Sequence, residues 1–305
     1  MNILVTGGAG FIGSQIVDAY INKNHHVVVV DNLSKGQKKF INPKATFHKL
    51  SISSPSIEQI IKTNNIEIIN HHAAQISVTD SVKDPVKDAE SNIIGTLQLL
   101  QSAVKLDVKK FIFASTGGAI YGEQDSFPAK ENHPQKPISP YGISKLSIEG
   151  YLRFYQEQYG IKSIIFRYGN VFGPRQNPNG EAGVVAIFCN RLLKYQAPII
   201  NGDGEQTRDY IFIKDVVQAN LLALNTEITS TYNIGTSKET SVNEITRILL
   251  QIAKSNISAE KIKRNNYEQL RSCLDYQKIE KSLGWKPMFS IEEGLIETYK
   301  YFKSN

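Results

Sequence analysis

A tyrosine and a lysine four residues apart, Tyr141 and Lys145, are the side chains whose types and spacing best suit catalysis. Positions i and i+4 of a helix share one face, and the segment 140–160 has helical periodicity. The ordinary pKa of tyrosine is about 10, so it acts as a base near neutral pH only if a nearby cation favours its phenolate. The Lys145 ammonium is such a cation and could also bond a ribose. The spacing alone also fits an ordinary surface pair, and the surrounding elements decide between the two interpretations.

The first thirteen residues predict one of those elements. An apolar run that begins at Ile3 is too short for a helix, and a glycine-rich turn and an amphipathic segment follow it. Glycines at positions 7, 10 and 13 suit a turn that holds a pyrophosphate against backbone N–H groups, because a Cβ would block its approach. Gly7-Gly8-Ala9-Gly10-Phe11-Ile12-Gly13 therefore predicts a dinucleotide-binding turn.

A second predicted strand, Val27 to Val30, ends in Asp31, eighteen residues past Gly13. An acidic side chain there can accept hydrogen bonds from the adenosine ribose and repels a 2′-phosphate, so NAD is favoured over NADP. The polar turn with Asn32 and Ser34 is predicted to close over the adenosine end. A flexible glycine turn followed by an ordinary aspartate is the alternative, and the order of strand, turn, helix and aspartate speaks against it.

Apolar runs and helical stretches alternate along the first half of the chain. Strands are predicted near 45–49, 67–71, 109–115 and 163–167, and helices near 54–64, 85–106 and 140–160. The alternation is typical of a parallel sheet with helices on both faces. We expect an α/β fold, a Rossmann-type doubly wound parallel sheet with a smaller α/β substrate-binding domain. Binding chemistry is expected at the edge where the strands end.

The composition argues against large charged partners. The net charge of +6 is spread without a block of like charges, which does not fit a nucleic-acid-binding arm. No stretch approaches the roughly 18 consecutive apolar residues of a membrane helix, and no signal sequence opens the chain. We therefore expect a small anionic partner, no nucleic acid, no membrane and a cytoplasmic location.

No metal site is expected. The two cysteines, Cys189 and Cys273, lack the spacing of metal ligands, so reduced thiols are the expectation. His71 and His72 are adjacent in a predicted strand and therefore point to opposite faces.

Two further predicted strands end in small or hydroxyl-bearing residues. Ala73-Ala74-Gln75 would let a cofactor lie against the backbone, and Ser115-Thr116 precede two glycines. With the glycine turn, Asp31 and Tyr141/Lys145, these motifs resemble the extended short-chain dehydrogenases, namely the NAD-dependent sugar-nucleotide epimerases and dehydratases. The similarity extends over the chain through Asp84-Pro85, Asn92, Gly95-Thr96 and the segments 167–175, 180–188, 202–209 and 283–287.

The resemblance, strongest to UDP-hexose 4-epimerases, implies an isomerase that uses NAD and interconverts UDP-glucose and UDP-galactose through a transient 4-keto sugar. Tyr141 would remove the 4-hydroxyl proton, Lys145 would orient the nicotinamide ribose, and Thr116 would bond the reacting oxygen. Family dehydratases and decarboxylases usually carry an acidic residue just after the strand-end threonine, where this chain has Gly117-Gly118-Ala119. Alternatives are a UDP-N-acetylglucosamine or dual-specificity 4-epimerase, and with less support a UDP-glucuronate epimerase or decarboxylase, an NADPH-dependent reductase or a non-catalytic NAD-binding protein.

The resemblance carries two sets of binding residues over by position. The expected cofactor-binding residues are Gly7, Gly10, Phe11, Ile12, Gly13, Asp31, Asn32, Ser34, Ser51, Ile52, Ala73, Ala74, Gln75, Asn92, Ser115, Tyr141, Lys145 and Tyr168. The expected substrate-binding residues are Thr116, Tyr141, Asn170, Val184, Arg208 and Ser272. The NAD-binding domain is expected to comprise 1–168 and 210–236, and the sugar-nucleotide-binding domain 169–209 and 237–305. Helices 85–106 and 140–160 form the dimer surface in this family, so a homodimer is expected.

Four positions depart from the family pattern. Thr116 is assigned because Gly117 occupies the position of the usual hydroxyl, and Ser51 replaces an aspartate that contacts adenine. Asn266 replaces the arginine of the diphosphate motif, with Arg264 and Arg271 as out-of-register substitutes. Ser272 occupies a position whose side chain is bulky in strict glucose enzymes and small in those that admit N-acetylated sugars. UDP-N-acetylglucosamine therefore stays an alternative substrate.

Overall fold

The structure, a computed structural model, describes residues 1–179, 183–263 and 269–305. The chain divides into two units. The first comprises 1–120, 136–167 and 217–232, and the second comprises 121–135, 168–216 and 233–305. The strands are β1 (Asn2–Thr6), β2 (His26–Val30), β3 (Thr46–His48), β4 (Ile68–His71), β5 (Lys110–Thr116), β6 (Lys162–Tyr168), β7 (Asn170–Phe172), β8 (Ile199–Asn201), β9 (Thr207–Arg208), β10 (Tyr210–Phe212), β11 (Ser230–Ile234), β12 (Thr240–Ser241) and β13 (Glu260–Ile262).

The α-helices are likewise numbered in the order in which they occur along the chain. They are α1 (Phe11–Asn22), α2 (Ser56–Thr63), α3 (Val78–Lys83), α4 (Pro85–Ala89), α5 (Gly95–Lys105), α6 (Gly117–Ile120), α7 (Pro140–Tyr159), α8 (Val184–Leu193), α9 (Ile213–Asn225), α10 (Val242–Ala253), α11 (Gln277–Leu283) and α12 (Ile291–Ser304).

A seven-stranded sheet runs in the order β11-β6-β5-β4-β1-β2-β3. The pairs β1–β2, β2–β3, β1–β4 and β4–β5 are parallel. This is the order of a doubly wound Rossmann sheet, which confirms the predicted fold class. The apolar runs of β1 and β2 are buried throughout their centres, as expected for strands covered on both faces. Thr6 of β1 stands in register with His71 of β4, so both strands end at the same level.

The long helix predicted over 85–106 differs in the structure. It is interrupted by a π-helical turn, Glu90–Ile94, between α4 and α5. The Thr96 hydroxyl donates to the Asn92 carbonyl (2.7 Å), and the Asn92 side chain accepts from the N–H of Gln75, which lies outside this helical run (2.9 Å). Contacts from within and beyond the run therefore stabilise the widened turn. Such turns are frequent at functional sites.

Helix α7 has clear sequence signals at both ends. The Ser139 hydroxyl accepts from the Gly142 N–H (3.2 Å), and Pro140 occupies the first helical position. Gly160 ends the helix with φ +71°, a conformation that glycine adopts readily. The helix begins one residue before Tyr141, which places the tyrosine and Lys145 in its first two turns.

The second unit contains three two-stranded pairs, β7–β10, β9–β12 and β8–β13. An aromatic cluster fixes the first pair, since the rings of Phe172 and Phe212 lie 5.6 Å apart and Phe289 packs on Phe212 (5.1 Å). Helix α8 begins at Val184 after Gly183, and residues 180–182 of the similar segment 180–188 lie outside the described residues.

Within the three described ranges, no helix combines the length and hydropathy needed to cross a membrane. The same residues contain no group of three or more histidine, cysteine or acidic side chains arranged to hold a metal ion. Both cysteines are buried and unbridged.

Candidate active site

The glycine turn between β1 and α1 leaves no room for side chains. Gly7 has φ +70°, and a Cβ there would lie 2.7 Å from the Ala73 backbone nitrogen. A Cβ on Gly13 would overlap the Gly7 carbonyl oxygen, and the Gly10 N–H donates to that same oxygen (3.0 Å). The partly exposed Phe11 and Ile12 then begin α1, whose first N–H groups have no intrahelical acceptors. Turn and helix start therefore fit the pyrophosphate of a dinucleotide.

Asp31 at the end of β2 is buried and ties this turn to the loop that follows. Its Oδ2 accepts from the Ala9 N–H (3.0 Å) and its Oδ1 from the Leu33 N–H (2.8 Å). Each oxygen keeps a second lone pair, which suits a ribose hydroxyl. Asn32 and Ser34 are exposed, and the Asn32 side chain accepts from the Ser34 N–H (2.9 Å).

The predicted adenine contacts follow β3. Ser51 is exposed, and its hydroxyl shares a hydrogen bond with the Ser53 hydroxyl (2.9 Å). Ile52 is buried beside Gly95, where an added Cβ would lie 3.1 Å from its side chain. A neutral, locally bonded hydroxyl thus stands where the family has a carboxylate.

A buried hydrogen-bond chain supports the ends of β1 and β4. The Ala73 N–H donates to the Thr6 hydroxyl (3.2 Å), which lies 2.7 Å from His71 Nδ1. His71 Nε2 lies 2.9 Å from the Thr96 hydroxyl, which itself donates to the Asn92 carbonyl. These partners assign the proton to Nε2. These hydrogen bonds fix the Ala73 backbone on which Gly7 packs. Ala74 follows Ala73 and is partly exposed.

His71, which ends β4, and His72, which follows it, are both neutral near pH 7. Burial lowers the pKa of His71 well below its usual range, and the Lys145 charge lowers it further. Burial likewise lowers the pKa of His72 to about 3, with Lys145 adding and a hydrogen bond to Asn220 opposing. Their different partners match the expectation that they point to opposite faces.

A second buried network joins Gln75, Asn92, Asp88 and Ser144. The Asn92 side chain accepts from the Gln75 N–H (2.9 Å) and donates to the Gln75 carbonyl (2.9 Å) and to Asp88 Oδ1 (2.9 Å). The Gln75 amide also donates to Asp88 Oδ1 (3.0 Å), and the Ser144 hydroxyl donates to Asp88 Oδ2 (2.6 Å). The Asn92 amide therefore holds the turn after β4, while its predicted contact with cofactor stays a prediction.

Tyr141 and Lys145 lie on one face of α7. Lys145 Nζ donates to the Ala114 carbonyl (2.8 Å), and it lies 4.7 Å from the Phe113 ring centroid and 5.9 Å from that of Tyr141. Burial lowers the pKa of Lys145 to about 8, opposed by the carboxylates of Asp88 and Glu149. Burial raises the pKa of Tyr141, and the Asp88 charge raises it further. At neutral pH the lysine is therefore a cation, and the tyrosine needs that cation to ionise.

The two hydroxyls that end β5 have different surroundings. Ser115 is buried and donates to Glu149 Oε1 (2.6 Å), while Glu149 forms a buried ion pair with Arg167 NH2 (2.5 Å). Thr116 is only partly buried, and among the described residues its hydroxyl has no hydrogen-bond partner. Thr116 thus has the hydroxyl that remains available, and its contact with the reacting oxygen stays a prediction.

Two predicted substrate-binding residues of the second unit lie at strand and helix starts. Asn170 opens β7, and its N–H donates to the Asp209 carbonyl (2.7 Å). Val184 opens α8 and is partly buried. Tyr168, predicted to contact cofactor, ends β6 and is buried.

The other two, Arg208 and Ser272, lie on neighbouring chain segments. The Ser272 N–H donates to the Thr207 carbonyl (3.2 Å), and the guanidinium of Arg208 donates to that carbonyl (2.8 Å). Asp209 fixes the region through hydrogen bonds from the Leu274 N–H (3.1 Å) and the Thr236 hydroxyl (2.7 Å). Ser272 is buried, and its predicted role at the sugar pocket stays a prediction.

One suggested substitute for the diphosphate arginine has another role. Arg271 pairs with Glu239 (2.5 Å), and its guanidinium lies 3.8 Å from the Phe127 ring centroid. Asn266 and Arg264 lie outside the described residues.

Sequence reasoning missed several residues that hold the site together. Asp88, Ser144, Glu149 and His71 are all buried polar side chains around Tyr141 and Lys145. Helical spacing contained a partial signal, since Glu149 is four residues after Lys145 and Asp88 four before Asn92.

Comparisons with known proteins give matches that span the whole chain. The model of the NAD dependent epimerase/dehydratase family matches residues 3–235. A UDP-glucose 4-epimerase of Mycolicibacterium smegmatis is 37% identical over 310 residues, covering 100% of this chain and 99% of its own. The crystal structure of a UDP-glucose 4-epimerase from Thermotoga maritima, solved with UDP-glucose, has a TM-score of 0.98 and 48% identity, covering 100% and 99%. A UDP-N-acetylglucosamine 4-epimerase from Methanobrevibacter ruminantium, in complex with UDP-N-acetylmuramic acid, has a TM-score of 0.95 and 36% identity, covering 99% and 98%.

Proposed function

The chain belongs to the NAD-dependent epimerase/dehydratase family, and on that premise we propose that it is a UDP-hexose 4-epimerase that interconverts UDP-glucose and UDP-galactose. The observation that carries the proposal is the surroundings of Tyr141 and Lys145. The pair lies beside a strand end whose following helix, Gly117–Ile120, has no acidic residue. Oxidation at C4 has its base, whereas removal of water would lack its acid and base there.

The residues of the glycine turn and Asp31 fit NAD, because Cβ atoms would fill the space that a pyrophosphate needs. When bound, NAD would supply the hydride acceptor for oxidation at C4 of the sugar and, once reduced, the hydride donor for the return step. Tyr141 takes the 4-hydroxyl proton and later gives it back. The Lys145 ammonium favours the phenolate, and Thr116 donates to the reacting oxygen.

Asn170 and Arg208 have the donors to hold the diphosphate and its sugar, and Val184 offers an apolar surface to the base. Binding of NAD by the first unit and of the UDP-sugar by the second is part of the proposal. Reduction that consumes NADPH has less support, because Asp31 disfavours a 2′-phosphate.

A second substrate, UDP-N-acetylglucosamine, is favoured by one observation. Ser272 is small where a bulky side chain would restrict the sugar pocket, and a relative at 36% identity is named for that sugar. Ser272→Tyr is expected to reduce turnover of the N-acetylated sugar while sparing UDP-galactose. Equal losses for both substrates would argue against a gating role.

We also propose a homodimer, because large apolar side chains are exposed on the helices that pair in this family. They include Val86, Ile94, Ile143, Tyr151 and Phe154, each 41% exposed or more. A cytoplasmic location is proposed because both buried cysteines are free thiols.

Product analysis tests the proposed function. The purified protein is offered UDP-glucose, UDP-N-acetylglucosamine and UDP-glucuronate separately, without added NAD. We expect the galactose epimer from UDP-glucose. Turnover of none of the three, by protein shown to contain NAD, would refute the epimerase assignment.

A further inference from the structure

A buried carboxylate, Asp88, lies behind Tyr141 and Lys145 and has no part in the proposed chemistry. The residue is 1% exposed, on the last turn of α4. Within the described ranges it forms no ion pair with a lysine or arginine, and its three hydrogen-bond donors are neutral side chains. Burying a charge outside an ion pair is costly, and the three hydrogen bonds are what offset that cost.

The three donors belong to three different segments that surround the site. Gln75 belongs to the turn after β4, Asn92 to the π-helical turn, and Ser144 to α7. Ser144 directly precedes Lys145 and follows Tyr141 by three residues. One carboxylate therefore connects the predicted cofactor turn with the first two turns of the catalytic helix.

The Asp88 charge also acts on both members of the pair. It raises the pKa of Tyr141, in the same direction as burial, and it raises the pKa of Lys145, against burial. Among the described charged groups around the pair, Asp88 is the carboxylate that no lysine or arginine bonds directly. Glu149 is paired with Arg167 of β6, and the lowered pKa values of His71 and His72 keep both histidines neutral.

We propose that Asp88 is a positioning residue that orients Ser144 and the catalytic face of α7, and that its charge sets the pH range in which Tyr141 and Lys145 work together. The inference rests on the proposed function, because it names what holds the proposed base and its lysine. Asp88 contacts neither of the reacting groups in the hydrogen-bond network, so it acts through Ser144 and through its field.

Asp88→Asn removes the charge and can keep the contacts. Its Oδ1 can accept from the Gln75 and Asn92 amides, and its NH2 can donate to the Ser144 hydroxyl, which rotates to accept. Ser144→Ala is the converse variant, which deletes the hydrogen bond and leaves the charge. Glu90→Gln is the matched control, since it removes an exposed negative charge two residues along the same helical run.

The pH dependence of kcat with UDP-galactose separates the two contributions. Without the negative charge both pKa values fall, so in Asp88→Asn the acid limb and the alkaline limb move to lower pH together, by on the order of one unit. Ser144→Ala is expected to lower kcat while the acid and alkaline limbs stay at the same pH as in the unsubstituted protein. Glu90→Gln is expected to leave the pH profile of kcat unchanged. A parallel loss at every pH in Asp88→Asn, with unmoved limbs, would reduce Asp88 to a structural role.

A second readout does not depend on turnover. The full-length protein with lysine isotope-labelled at Cε is titrated by NMR, and the Lys145 signal is assigned by its absence in Lys145→Met. We expect the midpoint, about 8 in the unsubstituted protein, to fall in Asp88→Asn. An unchanged midpoint would overturn the electrostatic part even if the protein proved to act on another substrate. Conversely, a protein inactive on every UDP-hexose would contradict the proposed function and leave this titration valid.

Discussion

At the scale of single residues, the proposed reaction requires a tyrosine that burial keeps protonated to become a base. The pKa of Tyr141 is raised by burial and by Asp88, so the unaided side chain is protonated at neutral pH. In the proposed mechanism the Lys145 ammonium, which lies 5.9 Å from the centroid of the Tyr141 ring, is the cation that opposes both effects. The chemistry therefore requires both residues in their correct protonation states at one pH.

Tyr141→Phe is expected to lower kcat for UDP-galactose by about 10²- to 10⁴-fold, because general-base catalysis typically contributes that much. NAD content should stay unchanged, since the ring still fills its place in α7. Steady-state kinetics and the ultraviolet absorbance of bound cofactor measure the two quantities. Undiminished turnover would eliminate Tyr141 as the base.

A decline of activity on the alkaline side follows from Lys145. Burial lowers its pKa to about 8, so the ammonium is present below that pH and is lost as the pH rises through it. Without the ammonium the phenolate of Tyr141 is less favoured, and kcat should fall above about pH 8. A kcat profile that stayed flat well into the alkaline range would contradict this dependence.

At the scale of elements, the glycine turn and α7 are the two that must be placed correctly. Both were predictable because their signals are local: glycines at 7, 10 and 13, and Ser139, Pro140 and Gly160 at the ends of the helix. The π-helical turn was not predictable from local signals, because the Asn92 side chain within it bonds Gln75, a residue 17 positions away. Asp88 was missed for the same reason, since its partner Ser144 is 56 positions away. Periodicity reports which face of an element is buried, and it does not report which buried polar groups meet.

Gly13→Ala is expected to weaken NAD binding by more than about tenfold, because the added Cβ would overlap the Gly7 carbonyl oxygen. Gly150→Ala is the matched control. Nothing lies within 4 Å of a Cβ at that position of α7, so this change should stabilise the protein by about 0.5–1 kcal/mol. Calorimetric titration with NAD and thermal unfolding measure the two effects. Normal NAD affinity in Gly13→Ala would show that the turn does not hold the pyrophosphate.

At the scale of the whole molecule, large apolar side chains are exposed on α4, on the π-helical turn and on α7, and they form the surface of the proposed homodimer. Phe154→Asp places a charge among them and is expected to shift the mass in solution from dimer to monomer. Tyr195→Asp, at a side chain 89% exposed after α8, should leave the mass unchanged. Light scattering after size-exclusion chromatography measures both. A dimer that persisted in Phe154→Asp, or a monomeric unsubstituted protein, would contradict the proposed interface.

An epimerase must return its hydride to the sugar that gave it, so NAD should stay bound through each turnover. The glycine turn and Asp31 support such retention. Ser51, which provides a hydroxyl where the family has a carboxylate, is the position at which the hold on adenine is expected to be weaker.

The most direct test of the central claim is the fate of hydrogen at C4. The protein is incubated with UDP-glucose that carries deuterium at C4, in ordinary water, and the UDP-galactose formed is analysed by mass spectrometry. We expect the product to keep its deuterium at C4, because the deuteride that leaves C4 returns to C4 within one bound complex. Loss of the deuterium to solvent or to added cofactor would contradict it.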